Sequence, residues 1–195
     1  MIFSDESKFN LIHSDGHAWC WRRVGDASQE RYTQKTKKFG GGSLMVWGCI
    51  TVKGVGHLHR ITGIMCATDY VQILDEHLLG TLHDYNMKPC HYFFQQDGDP
   101  KHTSRLAKTW VAKSGLHTLP WPAQSPDMSI IEHLWDELDR WVRVRDIQPN
   151  SVDELWAVLV EEWSKISQNI VDKLYGSMSH HVVELKQAKG GNTHY

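Results

Sequence analysis

Residues 2 to 12 alternate with the period of a β-strand, and the alternation carries a carboxylate to the apolar side. Phe3, Asp5, Ser7, Phe9 and Leu11 share one face, while Ser4, Glu6, Lys8 and Asn10 share the other. An ionised aspartate on a buried face is costly unless it is paired or holds a cation. Any fold this chain adopts must therefore bring a compensating group to Asp5. Glu6, on the polar face, is expected to be solvated.

The elements that follow limit the architectures available. A glycine run, Gly40 to Gly42, leads into a strand over residues 44 to 52, and Lys53-Gly54 turns the chain into a third strand over 57 to 61. Helical spacing of Tyr70, Val71, Leu74, Leu78 and Leu82 predicts a crossover helix over 68 to 82, followed by a short buried strand over 91 to 96. Asp99-Pro100 suits a helix opening and Gly115 a helix end, with a fifth strand over 116 to 119. Ser129 with Glu132, and Ser151 with Glu154, have the spacing of capping boxes. After the second, Val152, Leu155, Trp156, Leu159, Val160, Trp163 and Ile166 form one apolar stripe, and a last helix covers about 169 to 186. This order predicts an α/β chain with a mixed five-stranded sheet, its first three strands antiparallel, flanked by helices and followed by extra C-terminal helices over about 151 to 188. It is the order of the ribonuclease H-like fold.

At 195 residues and 41% apolar, the chain can bury one substantial core, so a single domain over 1 to 195 is expected. Cys20, Cys49, Cys66 and Cys90 lack the paired spacing of a zinc site or a disulfide framework, which predicts a reducing compartment. Neither a membrane span nor an export signal is expected. The net charge of −2 hides one basic stretch, in which Arg22, Arg23, Arg31, Lys35, Lys37 and Lys38 face only Asp26 and Glu30. Trp47, Trp110, Trp135, Trp156 and Trp163 fall on strand or helix faces and are expected in the core.

In this topology Asp5 lies in the central strand, Asp97 at the end of the fourth, and Glu132 in the first turn of the helix after the fifth. Clustered carboxylates are the ligands that hard divalent cations prefer, and two ions about 4 Å apart can activate an attacking oxygen and stabilise a leaving one. Taken singly, Glu132 could merely complete a capping box, and Asp97 a turn with Gly98.

Three blocks resemble the catalytic motifs of the Tc/mariner DNA transposases. They are Phe3-Ser4-Asp5-Glu6-Ser7-Lys8-Phe9; Gln95-Gln96-Asp97-Gly98-Asp99-Pro100-Lys101-His102-Thr103-Ser104; and Trp121-Pro122-Ala123-Gln124-Ser125-Pro126-Asp127 leading to Ile131-Glu132-His133-Leu134-Trp135. Residues 98 to 131, 34 in all, separate Asp97 from Glu132, the spacing of the Tc branch. Trp21-Arg22-Arg23-Val24-Gly25 and Gly40 to Gly48 extend the likeness over nearly the whole chain.

The resemblance implies a DDE catalytic domain in which Asp5, Asp97 and Glu132 bind two magnesium or manganese ions. Water cuts the transposon end, and the freed 3′-hydroxyl then attacks target DNA. It implies that an insertion over about 14 to 42 serves dimer contacts and DNA, which gives Arg22, Arg23, Arg31, Lys35, Lys37 and Lys38 as candidate DNA-binding residues, with Lys101 of the second block beside them. His102 and His133 are expected to support the carboxylates from behind. Transposon-end and target DNA, a homodimer of the full-length protein and a nuclear location follow from the same likeness, with no membrane and no small-molecule substrate.

Family members carry helix-turn-helix domains that would precede residue 1, so a truncated chain is expected, with weaker packing of a shortened first strand. Ser179-His180-His181 stands where relatives often have proline and two arginines, which predicts weaker phosphate contacts there. The rival expectation is a non-catalytic DNA-binding or dimerisation module that retains the fold.

Overall fold

The computed structural model describes residues 1–12, 41–121 and 128–188. The basic stretch with Arg22, Arg23, Arg31, Lys35, Lys37 and Lys38 lies outside the described residues.

Five strands, β1 (Ile2–Asn10), β2 (Ser43–Thr51), β3 (Gly54–Ile61), β4 (Phe93–Gln95) and β5 (His117–Thr118), form one sheet in the order β3-β2-β1-β4-β5. The β1–β2 and β2–β3 pairs are antiparallel, and β4 runs parallel to both β1 and β5. The strands predicted at 91 to 96 and 116 to 119 are thus shorter than expected, and a 3-10 turn, Pro89–His91, takes the start of the first.

Helices cover both faces. On one side lie α1 (Ala67–Ile73), a π-helical turn (Leu74–Leu78) and α2 (Leu79–Asp84), joined in one run, together with α3 (Arg105–Ser114). Tyr70, Leu74, Leu78 and Leu82 recur every four residues and are all buried. An α-helix of about 3.6 residues per turn would carry such a row off the sheet, and a wider π turn brings it back. On the other side are α4 (Ile130–Arg143), α5 (Val152–Ser164) and α6 (Gln168–Gln187). Phe3, Phe9, Val46 and Ile50 meet these C-terminal helices, while Ile2, Trp47 and Phe94 meet the first group.

The first half of the central strand is therefore covered on both sides, which corrects the expectation that Glu6 is solvated, while Lys8 on the same face stays exposed. Ser4 is buried with its hydroxyl donating to the Gln95 carbonyl at 3.3 Å, and Glu6 is largely buried. Ile2 and Phe3 are fully buried, so the start of β1 is packed tightly rather than weakly.

Local signals fared unevenly. Gly115 ends α3 in the left-handed region at φ 79°, where glycine carries no steric penalty. The helix begins at Arg105 and not at Pro100, with Ser104 Oγ accepting the Ala107 N–H. Ser151 Oγ accepts from the Glu154 N–H as a cap should, but the Glu154 carboxylate returns to Asn150 N–H, one residue upstream of the expected partner. The Ser129–Glu132 box does not form, because the Ser129 side chain makes no capping hydrogen bond. Of the α5 stripe, Leu155, Leu159, Trp163 and Ile166 are buried, whereas Val160 is exposed. Trp47, Trp135 and Trp163 are core residues, and Trp110 and Trp156 are half-buried.

Gly48 is a pivot between sheet and helices. It pairs with Asp5 across β1 and β2, and a Cβ there would stand 2.6 Å from the Trp135 ring and 3.2 Å from Trp163. These two indoles stack at 5.1 Å in the space glycine leaves. Gly48→Ala should cost about 1–3 kcal/mol, the usual range for overpacking a tight core, read as a lower urea midpoint at unchanged slope.

No helix among the described residues is long and apolar enough to cross a membrane. Cys49 is a buried free thiol, and Cys66 and Cys90 are exposed free thiols.

Candidate active site

The sheet brings three carboxylates to one end of the fold. β1 supplies Asp5, the residues just after β4 supply Asp97, and the first turn of α4 supplies Glu132. Asp5 sits on the α4 side of the pleat. Burial pushes its carboxyl up to about 8, and the charges of Glu132 and Glu6 push in the same direction. Burial likewise raises Glu132, followed by Asp136 and Asp97. Asp5 thus feels Glu132, and Glu132 feels Asp97, through a partly desolvated space.

Each aspartate is tethered by hydrogen bonds. Trp135 Nε1 donates to Asp5 Oδ2 at 3.0 Å, so the ring seated over Gly48 also orients the acid. The sequence marked Trp135 only as a core residue. Its position three residues after Glu132 on the same helix face was the available signal. Asp97 Oδ1 accepts the Asp99 N–H at 3.0 Å and meets His102 Nδ1 at 2.5 Å. The hydrogen bond to His102 holds Asp97 below the usual carboxylate range. Glu132, free of the expected capping box, accepts no hydrogen bond on its side chain among the described residues.

His102 is buried behind Asp97. Its Nε2 faces Glu6 Oε1 at 3.1 Å, and its ring lies 4.1 Å from that of Tyr70. Burial alone would lower its pKa, but the hydrogen bonds to Asp97 and Glu6 override this and push it up to about 9. Glu6, expected in water, is thus a fourth carboxylate of the site, reached from the opposite face of β1.

Two other expectations are corrected. His133 follows Glu132 on α4 but turns away from the acids. Its ring packs edge-on against the buried His181 of α6 at 5.4 Å, and its charge is acted on by His181 and Asp136. His181, in the segment expected to weaken phosphate contacts, is thus buried. Lys101, expected to face DNA, is turned inward, with Nζ 2.7 Å from Asp99 and 3.7 Å from Glu6. Lys108, overlooked in the sequence, does line a cleft of about 620 Å³ beside Asp97, together with Gly98, His102 and Trp121.

Comparison with known proteins shows the family to which the chain belongs. The family model for the DDE superfamily endonuclease matches residues 1–156. The Tc1 transposase of Caenorhabditis elegans is 40% identical over 196 residues, covering 100% of this chain and 70% of that protein. The Tcb1 transposase of Caenorhabditis briggsae is 39% identical over 201 residues, with the same coverage. Among solved structures, the Mos1 transposase paired-end complex with left transposon end superposes at a TM-score of 0.80 and 16% identity, over 98% of this chain and 56% of that one. The chain belongs to the DDE superfamily endonucleases and, within them, to the Tc1/mariner transposases, whose catalytic domain it represents. It spans little more than half the length of the Mos1 chain it matches.

Proposed function

We propose that this chain performs the catalytic chemistry of a Tc1/mariner-type transposase: cleavage of a DNA phosphodiester by water, then attack of the freed 3′-hydroxyl on target DNA. The observation that carries this reading is the convergence of Asp5, Asp97 and Glu132, with Asp5 raised to about 8 by burial and by its acidic neighbours. Such a cluster is unfavourable by itself and suits divalent cations, whose hard charge matches carboxylate oxygens. Among the described residues no three His, Cys, Asp or Glu side chains stand close enough together to hold an ion as they are. Binding would therefore draw Asp97 and Glu132 inward.

Asp5, Asp97 and Glu132 would hold two magnesium or manganese ions. Once bound, these would lower the pKa of the attacking group and neutralise charge on the phosphate and leaving oxygens. The protein's own part is positioning. Trp135 and the Glu6 backbone N–H donate to the Asp5 carboxylate, and His102 binds one oxygen of Asp97 and leaves the other for the cation. The cleft with Lys108 and Trp121 gives a DNA strand access to Asp97. In the cell, we place this chemistry in the nucleus, on transposon ends and target DNA, in a homodimer of the full-length protein with residues 14 to 42 at the dimer and DNA contacts.

Calorimetric titration with Mn²⁺, wild type against Asp97→Ala, tests the reading without requiring transposon-end recognition. Saturable binding that Asp97→Ala abolishes is the expected result. Equal binding by both folded proteins would refute the assignment.

A further inference from the structure

Glu6 and Asp5 are neighbours in sequence and point to opposite faces of β1, yet both reach the acidic end of the fold. Glu6 is engaged on both oxygens: Oε1 stands 3.1 Å from His102 Nε2, and Oε2 stands 3.7 Å from Lys101 Nζ. The other ring nitrogen, Nδ1, lies 2.5 Å from Asp97 Oδ1. Both nitrogens of His102 thus face carboxylate oxygens, an arrangement in which both donate. The ring is clamped in its plane as well, lying 4.1 Å from Tyr70 at 35°. Tyr70 donates to Gln96 Oε1 at 2.6 Å, and Gln96 Nε2 returns to the His102 carbonyl at 3.2 Å. Every group around the imidazole is tied to another, and the imidazole touches Asp97 on one of its two oxygens.

We propose that Glu6 is a positioning residue for Asp97: through the His102 ring it determines which carboxylate oxygen of Asp97 faces the cleft. The proposal rests on the reading of Asp97 as a cation ligand. Glu6 sets the rotation of the imidazole, His102 takes Oδ1 together with the Asp99 N–H, and Oδ2 is left for the ion. A comparable tether acts on Asp5, where Trp135 Nε1 takes one carboxylate oxygen. Outer groups that orient metal-binding side chains in this way typically contribute 10- to 100-fold in affinity or activity.

The test is a double-mutant cycle on Mn²⁺ affinity and Mn²⁺-dependent nicking of supercoiled plasmid, using the 195-residue chain. Glu6→Ala and His102→Ala are each expected to weaken Mn²⁺ binding about 10- to 100-fold, and the double variant no more than His102→Ala alone. Glu6→Gln, whose amide oxygen still accepts from Nε2, should recover most of the loss. Multiplying losses in the double variant would overturn the proposal and make Glu6 a direct ligand. Wild-type affinity in a Glu6→Ala protein of lowered melting temperature would reduce Glu6 to a structural ion pair. Asp97→Ala separates the two levels: if it binds Mn²⁺ like wild type, the cation reading falls and this proposal with it. If only Asp97→Ala loses binding, the positioning role alone falls. Should Glu6→Ala fail to fold, Glu6→Asp takes its place. It keeps the charge but is one methylene too short for His102, so near-wild-type affinity in that variant would equally refute the role.

Discussion

Glu132→Gln should reduce Mn²⁺-dependent nicking of supercoiled plasmid by on the order of 10³-fold or more, with the fold intact. The side chain is poised for this because no capping duty ties it among the described residues. The capping box suggested by Ser129 does not form, and the carboxylate accepts no hydrogen bond among the described residues. Glutamine has the same shape, so helix α4 and its buried residues Ile131, Leu134 and Trp135 should be undisturbed. What disappears is one negative charge in a place where burial, Asp136 and Asp97 already raise the pKa of the acid. Thermal melts of the metal-free variant should match or slightly exceed wild type. A variant that nicks at the wild-type rate would remove Glu132 from the reaction.

Asp5→Asn should separate stability from function in the opposite sense to an ordinary core mutation. In the folded chain the Asp5 proton is held up to about 8, whereas the unfolded carboxyl releases it near 3.8. The folded state therefore binds more protons than the unfolded one between those values, and stability falls as pH rises through that window. The contribution is fully present below pH 3.8 and lost as pH passes 8. Asparagine carries no such proton and can still accept from Trp135 Nε1. Every tenfold difference in proton affinity between the two states is worth about 1.4 kcal/mol. Allowing for relaxation of the site, Asp5→Asn should be more stable than wild type by on the order of 3 kcal/mol at pH 9, with little difference at pH 4. Mn²⁺ should reverse the ranking by stabilising wild type alone. Melting curves from pH 4 to 9 with and without Mn²⁺ decide the matter, and a variant less stable than wild type at pH 9 would count against a desolvated Asp5. The raised His102 and the lowered Asp97 are two ends of one pair and count once. The His102 share is present below pH 6.5 and fades through about 9, adding to the same alkaline decline.

Asp5 stood out in the sequence because it shares a face with Phe3, Phe9 and Leu11, and motif spelling with the 34-residue interval carried the family likeness. The same pattern misled for Glu6. Polar residues at alternate positions look solvated, and only the covering layer of Tyr70 and His102 makes that face an interior. Capping signals failed where the site needed the residue for itself. Asp99 accepts the Lys101 N–H at 2.8 Å and is occupied in the turn that bends His102 back to Asp97, so the helix waits for Ser104. The π turn was invisible because four-residue spacing fits an ordinary helix within the tolerance of any pattern. Trp135 was read correctly as core and incompletely as chemistry, since periodicity reports burial and says nothing of where an indole N–H ends up.

The alternation of β1 has one more consequence. Adjacent residues of this strand serve different halves of the molecule, Asp5 facing the indole of α4 and Glu6 the imidazole behind β4. A slip of a single residue along β2 would turn both to the wrong side and bring a serine into one of their places, either Glu6 replacing Asp5 and Ser7 replacing Glu6, or Ser4 replacing Asp5 and Asp5 replacing Glu6, even if every backbone ladder bond re-formed. Catalytic competence in this fold is thus written into a reading frame of the sheet. One residue inserted between Phe3 and Ser4 should yield a chain that can still assemble its strands but has lost the site.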